Sequence, residues 1–247
     1  MRLLCITLLV CFASGLYGDV MYEMVSTSEG MMGMKGETNM RIFVKGDRSL
    51  TEMTAEDPMA GSMTDIKIIR LDKGVIWSID HDKKEYTETN ITAAQQAPEE
   101  AEEDIPMPNL NVVVTGEKKK ILNKDCEQVI VTMDVKDEEG AMTFKQTMWV
   151  AKDIAGYEEI RDFQKQMSDL DYSASSAMMG ANKKHYEDFQ KKISEIEGFP
   201  LEIDMEMIMG AEGMSFSFLT HSEVTKIETK PINSKVFEIP AGYSLKE

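Results

Sequence analysis

The sequence predicts an α+β fold, mainly antiparallel β, in which two or more amphipathic helices lie over one face of a curved sheet. Three observations point there. Apolar and polar residues alternate with a period of two through most of the chain, and glycine-containing or charged turns divide those segments. Between about residues 155 and 198 the apolar period changes to three and four, the spacing of a helical stripe.

The elements follow in chain order. Arg2 is the one charge before the apolar run Leu3 to Phe12, and the small residues Ala13, Ser14 and Gly15 come next. This is the pattern of a secretory signal peptide over residues 1–18, cleaved near Gly15 or Gly18. Its apolar core is well short of the roughly 20 residues that cross a bilayer as a helix, so no stable membrane span is expected. The expected location is periplasmic or secreted, and residues 19–247 are expected to form a single domain.

"MYEMVSTS" and "TNMRIFVKGD" both read as extended, so Gly30, Gly33 and Gly36 mark a hairpin reversal. Met40, Ile42 and Val44 share one face of the second of these strands, with Arg41 and Lys45 on the other. In "GVIWSIDHDKKEY", Val75, Trp77 and Ile79 share a face, and Asp80 to Lys84 turns the chain. Ala93 to Asn109 carries three prolines, five acids and no apolar period, and reads as a flexible acidic loop.

"CEQVIVTMDVKDEEGAMTFKQTMWV" reads as a hairpin. Val129, Val131, Met133 and Val135 alternate in, Asp137 to Gly140 turns, and Met142, Phe144, Met148 and Val150 alternate back. Tyr157, Ile160, Phe163, Met167 and Leu170 form one helical stripe. Met178, Ala181, His185, Phe189, Ile193 and Ile196 form a second, which stops at Gly198 before Pro200. Period two then returns: Leu201, Ile203, Met205, Met207 and Met209 face one way, Glu202, Asp204 and Glu206 the other. "GMSFSFLT" and "VTKIET" read as two further strands.

Charge and cysteine content exclude some functions. Without its first 18 residues the chain has 26 basic against 44 acidic residues, a net charge of −18. Nucleic-acid binding, which needs lysine and arginine to neutralise phosphates, is not expected. Cys5 and Cys11 leave with the signal, so Cys126 remains without a disulfide partner, and its place beside a strand suits a small buried residue.

The search for catalytic chemistry returns little. His81, His185 and His221 are far apart and lack metal-ligand spacing; His221 has only Glu223 as an acidic neighbour. No nucleophile elbow or phosphate-cradling glycine loop is present, so an enzyme is not expected and no cofactor is implied. Met31, Met32 and Met34 offer three thioethers to a soft ion such as copper. Yet methionine occurs 21 times in the chain, which weakens a local claim, and adaptable apolar packing is the default reading.

The phrases "MRIFVKGDRSLTEM", "IIRLDKGVIWSIDHDKKEYTE", "TGEKKKILNKDCEQVIVT", "GFPLEIDMEM" and "SKVFEIPAGYSLKE" carry a family resemblance. In their order the chain resembles the exported bacterial domain-of-unknown-function 4412 family, related to the LolA/LolB-like lipoprotein carrier superfamily. That resemblance implies a half-open antiparallel β-barrel whose concave, apolar side is covered by helices, here residues 155–198. It also implies a hydrophobic small molecule or lipid as partner, with protein partners unspecified. Single-face alternation nominates Met40, Ile42, Val44, Trp77, Ile79, Phe144, Met148, Met205 and Met207 as the lining of such a pocket. The alternatives are a methionine-rich soft-metal protein using Met31, Met32 and Met34, and an envelope interaction protein with a closed core.

Overall fold

In the computed structural model the described residues are 18–30, 35–57, 61–91, 109–136, 141–170, 191–193, 196–211 and 214–246. The strands are β1 (Val20–Glu29), β2 (Lys35–Lys45), β3 (Arg48–Asp57), β4 (Gly61–Arg70), β5 (Val75–Asp80) and β6 (Glu85–Asn90). They continue with β7 (Asn109–Ile121), β8 (Lys124–Lys136), β9 (Ala141–Ala151), β10 (Phe199–Ala211), β11 (Met214–Thr229) and β12 (Ser244–Leu245), and helix α1 (Tyr157–Leu170) lies between β9 and β10 in the chain. All twelve strands form one open sheet in the order β12-β6-β5-β4-β3-β2-β1-β11-β10-β9-β8-β7. Neighbours pair antiparallel throughout, except the short parallel pair of β12 with β6.

The expected hairpins are present. β1 and β2 pair antiparallel from Val20 opposite Val44 up to Glu29 opposite Lys35. Met31, Met32 and Met34 lie outside the described residues, as do the acidic loop up to residue 108, His185 and most of the second helical stripe. The segments read as two strands after Gly213 are one, the sixteen-residue β11, because β1 and β10 hold it from both sides through the polar stretch Thr220 to Ser222.

Helix α1 follows its predicted stripe: Ile160 and Phe163 are buried, with Tyr157 and Met167 packed at the margin of the same core. Glu158 and Glu159 sit in its first turn, where the helix dipole favours acids, and Glu159 accepts a hydrogen bond from the Gly46 amide. Gly156, with φ of +81°, launches the helix against β1. A Cβ there would collide with Val20 Cγ2 and come within 2.8 Å of Thr229 Cγ2, so only glycine lets the helix approach this closely.

Because paired residues share a face, register separates the sheet into two surfaces. One carries Val20, Tyr22, Ile42 and Val44, which join Ile160 and Phe163 of α1 in the largest core cluster. The other carries the row Phe43, Leu50, Ile68 and Trp77 across β2 to β5. That second surface is sealed by the chain's end, where Ile232 and Phe237 are buried on Leu50, Ile66, Ile68, Trp77 and Ile79.

This C-terminal strap, residues 230–246, is tied down along its length. Asp19 accepts from the Ile232 amide at 2.6 Å and from Lys45 Nζ at 2.7 Å. Arg70, 4% exposed, donates to both oxygens of Asp72, to the Phe237 carbonyl at 3.2 Å and to Glu238 at 2.5 Å. Near the end, the Tyr243 hydroxyl and His81 Nδ1 lie 2.5 Å apart, and the Lys246 amide donates to the Tyr86 carbonyl.

Candidate functional site

The nine nominated lining residues divide between the two faces. From β2 the register runs Met40 opposite Met24, then Met24 opposite Val224. Two residues along β11, Ser222 lies opposite Ile203, Ile203 opposite Met148, and Met148 opposite Val129. Met40, Ile42, Val44, Phe144, Met148, Met205 and Met207 therefore share the face that α1 packs against. The Ser26 and Ser222 hydroxyls, 2.7 Å apart on that face, hold the middle of the row. Trp77 and Ile79 stand on the opposite face, 5% and 6% exposed beneath the strap. Alternation within one strand fixes which residues are neighbours but not which surface they join, so those two do not share a lining with the other seven.

Within the seven, burial makes a second division. Ile42, Val44 and Met148 are buried in core clusters. Met40, Phe144, Met205 and Met207 are only half-buried. Across the β7–β11 half, Phe218, Met207, Phe144, Met133 and Leu110 are direct cross-strand neighbours in one unbroken row. Four inter-strand spacings of about 4.8 Å make this row about 19 Å long. Beyond it Phe216, 42% exposed, stands opposite Met209, and Met209 opposite Met142. Ile193 and Ile196 pack on the deeper part of this face, against Val129, Val131, Met148 and Val150.

The row from Phe218 to Leu110 is apolar throughout, while Thr220 and Gln146, both opposite Met205, bring polar groups to the same face one step away. Lys192 Nζ donates to the Leu110 carbonyl at 2.9 Å, placing an ammonium group at the β7 end. At the α1 end, burial pushes the Tyr22 hydroxyl up to about 12, and its ring meets Phe199 edge-on with centroids 5.2 Å apart. Cys126 is 1% exposed in the largest core cluster, and burial raises its thiol above the ordinary range, which favours the neutral thiol.

Sequence reasoning missed a polar constellation on the reverse face. Asp204 lies opposite His221 in the β10–β11 ladder, and Asp204 Oδ1 is 2.7 Å from His221 Nδ1. The carboxylate of Glu202 is close to both. The acid nearest to His221 in sequence, Glu223, shares its face, but the register rather than sequence distance supplies the partner. Glu202 in turn receives Lys119 Nζ at 2.6 Å, and that ammonium sits 4.4 Å from the Trp149 ring centroid.

Among the described residues, no helix is long and apolar enough to cross a membrane. No curated protein matches the sequence. Among solved structures, the LolA superfamily protein NE2245 from Nitrosomonas europaea aligns over 90% of this chain and 90% of its own, at 7% identity and a TM-score of 0.33. A family model described as Domain of unknown function (DUF4412) matches residues 23–243, nearly the whole of the described sheet and strap. The chain belongs to the DUF4412 family.

Proposed function

We propose that this protein is exported and non-enzymatic, and that it holds a hydrophobic ligand such as a lipid or acyl chain against the β7–β11 half of its sheet, working as a half-open barrel with helices over the ligand. The observation that carries the reading is the apolar cross-strand row from Phe218 through Met207, Phe144 and Met133 to Leu110, in which Met133 is buried and the other four are half-buried. Methionine is the adaptable apolar side chain, able to reshape around ligands of different form, and aromatic rings beside it add contact area. A ligand that buries about 300 Å² of apolar surface there gains about 7.5 kcal/mol at the usual area coefficient. Before any cost of association that gain corresponds to a dissociation constant of about 3 μM, so micromolar binding is the upper limit this contact sets. Export is supported by Arg2 and the apolar run Leu3 to Phe12.

The test is direct. The full-length gene is expressed in a bacterial host, and the product from the periplasm or medium is weighed intact by native mass spectrometry before and after solvent extraction. The expected result is an N-terminus trimmed near Gly15 or Gly18 and an extractable lipid mass. The delipidated protein is expected to bind a fluorescent fatty acid at micromolar concentration, and Phe144→Asp with Met207→Asp to weaken it at least tenfold. A protein that carries no lipid and ignores the fluorescent probe refutes the reading.

A further inference from the structure

The face turned away from the methionine row holds a second arrangement with its own chemistry. Glu202 and Asp204 are alternate residues of β10 and so project to the same side, and His221 is brought beside them by the β11 register. One ligating atom from each of the three lies within 4.8 Å of the others. An imidazole with two carboxylates is the donor set of a borderline divalent ion, whereas calcium and magnesium prefer oxygen alone. Bond lengths of about 2.0–2.2 Å put tetrahedral ligands about 3.4 Å apart, so the three atoms meet one ion after side-chain shifts of about an ångström. Asp204 and His221 are about half exposed, at 54% and 46%, and free to make that adjustment.

The surroundings favour a cation. Asp204 and His221 form part of the wall of an open cleft of about 910 Å³, whose lining also includes the acids Glu29, Glu37, Glu56 and Glu206 and the bases Lys35 and Lys145. A recess with an excess of carboxylates concentrates positive ions from solution. Lys119 acts in the other direction: its ammonium, 2.6 Å from Glu202 Oε1, holds one oxygen of that carboxylate and leaves Oε2 for an ion. It is a competitor built into the site.

We propose that Glu202, Asp204 and His221 bind a divalent transition-metal ion of the Zn²⁺ class, with water completing its coordination. The site stands on the reverse face and does not depend on the lipid reading.

The experiment titrates Zn²⁺ into the full mature chain by calorimetry and repeats the titration with His221→Ala, His221→Gln, Asp204→Asn and Lys119→Gln. One saturable equivalent is expected in the native protein, with affinity at least tenfold weaker in the His221 and Asp204 variants. Lys119→Gln is expected to bind at least threefold tighter, because the resident cation is gone. Melting curves without metal check that each variant is folded, and saturating Zn²⁺ is expected to raise the melting temperature of the native protein but not of His221→Ala. Absence of saturable binding overturns the proposal. So does binding that is unchanged in both His221→Ala and Asp204→Asn, which would place the ion elsewhere on the acidic surface.

Discussion

The two halves of the sheet bury apolar residues by different means. Over β3 to β6 the strap closes one face with Leu50, Ile66, Ile68, Trp77, Ile79, Ile232 and Phe237, and among the described residues no methionine enters that core. Over β7 to β11 the opposite face presents Met205, Met207, Phe144 and Phe218 half-buried. Branched and aromatic side chains with few rotamers suit a surface whose cover is fixed, since they fill a defined space at native density. Unbranched methionine suits a surface whose cover changes, because it repacks at little cost. On the proposed function, the distribution of residue types separates the half that the chain's own strap closes from the half that takes the ligand.

The largest effect should come from breaking the closed half. Phe237 is fully buried in the core cluster that the strap forms with the sheet, so Phe237→Ala leaves a cavity among Leu50, Ile68 and Trp77. A loss of about 3–5 kcal/mol in unfolding free energy is expected, read from urea denaturation. A loss below about 1 kcal/mol would mean that the strap is an ornament on a sheet stable without it.

A smaller and pH-dependent effect separates the halves electrostatically. Hydrogen bonds from Arg70 hold the Asp72 carboxyl below its ordinary range. Burial works to raise Glu238, but hydrogen bonds from Lys73 and Arg70 outweigh it and hold that carboxyl low as well. Carboxylates depressed in the folded state contribute stability that is present above their unfolded pKa values, about 3.9 and 4.3, and is lost as pH falls through the lower folded values. The melting temperature should therefore drop on acidification below about pH 4. Arg70→Met should cost about 2 kcal/mol at neutral pH, where charged hydrogen bonds are lost, and should flatten the acid limb. An acid limb as steep in the variant as in the native protein would assign it to carboxylates outside the strap.

Local periodicity made much of this fold legible. The alternation in Met40–Val44, Val75–Ile79 and Val129–Val135 marks β2, β5 and β8, and the stripe through Ile160 and Phe163 marks α1. The assignment of faces was not legible, because it depends on register between strands distant in sequence: Trp77 follows the same pattern as Ile42 yet lies on the other side. The strap was invisible for another reason. Ile232, Phe237, Ile239 and Tyr243 follow no repeat, and their burial is decided by what they land on. The Asp204–His221 pair, 17 residues apart in the chain, likewise exists only once β10 and β11 are aligned.

The smallest expected effect is the sharpest test of the comparison. Met207 lies at the centre of the receptive row, between Phe218 and Phe144, and is half-buried. Were this half a closed core like the other, Met207→Ala would cost about 2–5 kcal/mol, the usual range for truncating a fully buried methionine. Because Met207 is only half-buried, the truncation removes little transfer free energy and opens no sealed cavity. Less than about 1 kcal/mol is expected in urea denaturation of delipidated protein. The same substitution should cost more when lipid is bound, since a ligand present only on the folded state adds its own binding free energy to stability and the variant binds it less well. A cost that is large without ligand and unchanged by it would show the row to be ordinary core, and the contrast between the two halves would then be one of residue choice alone.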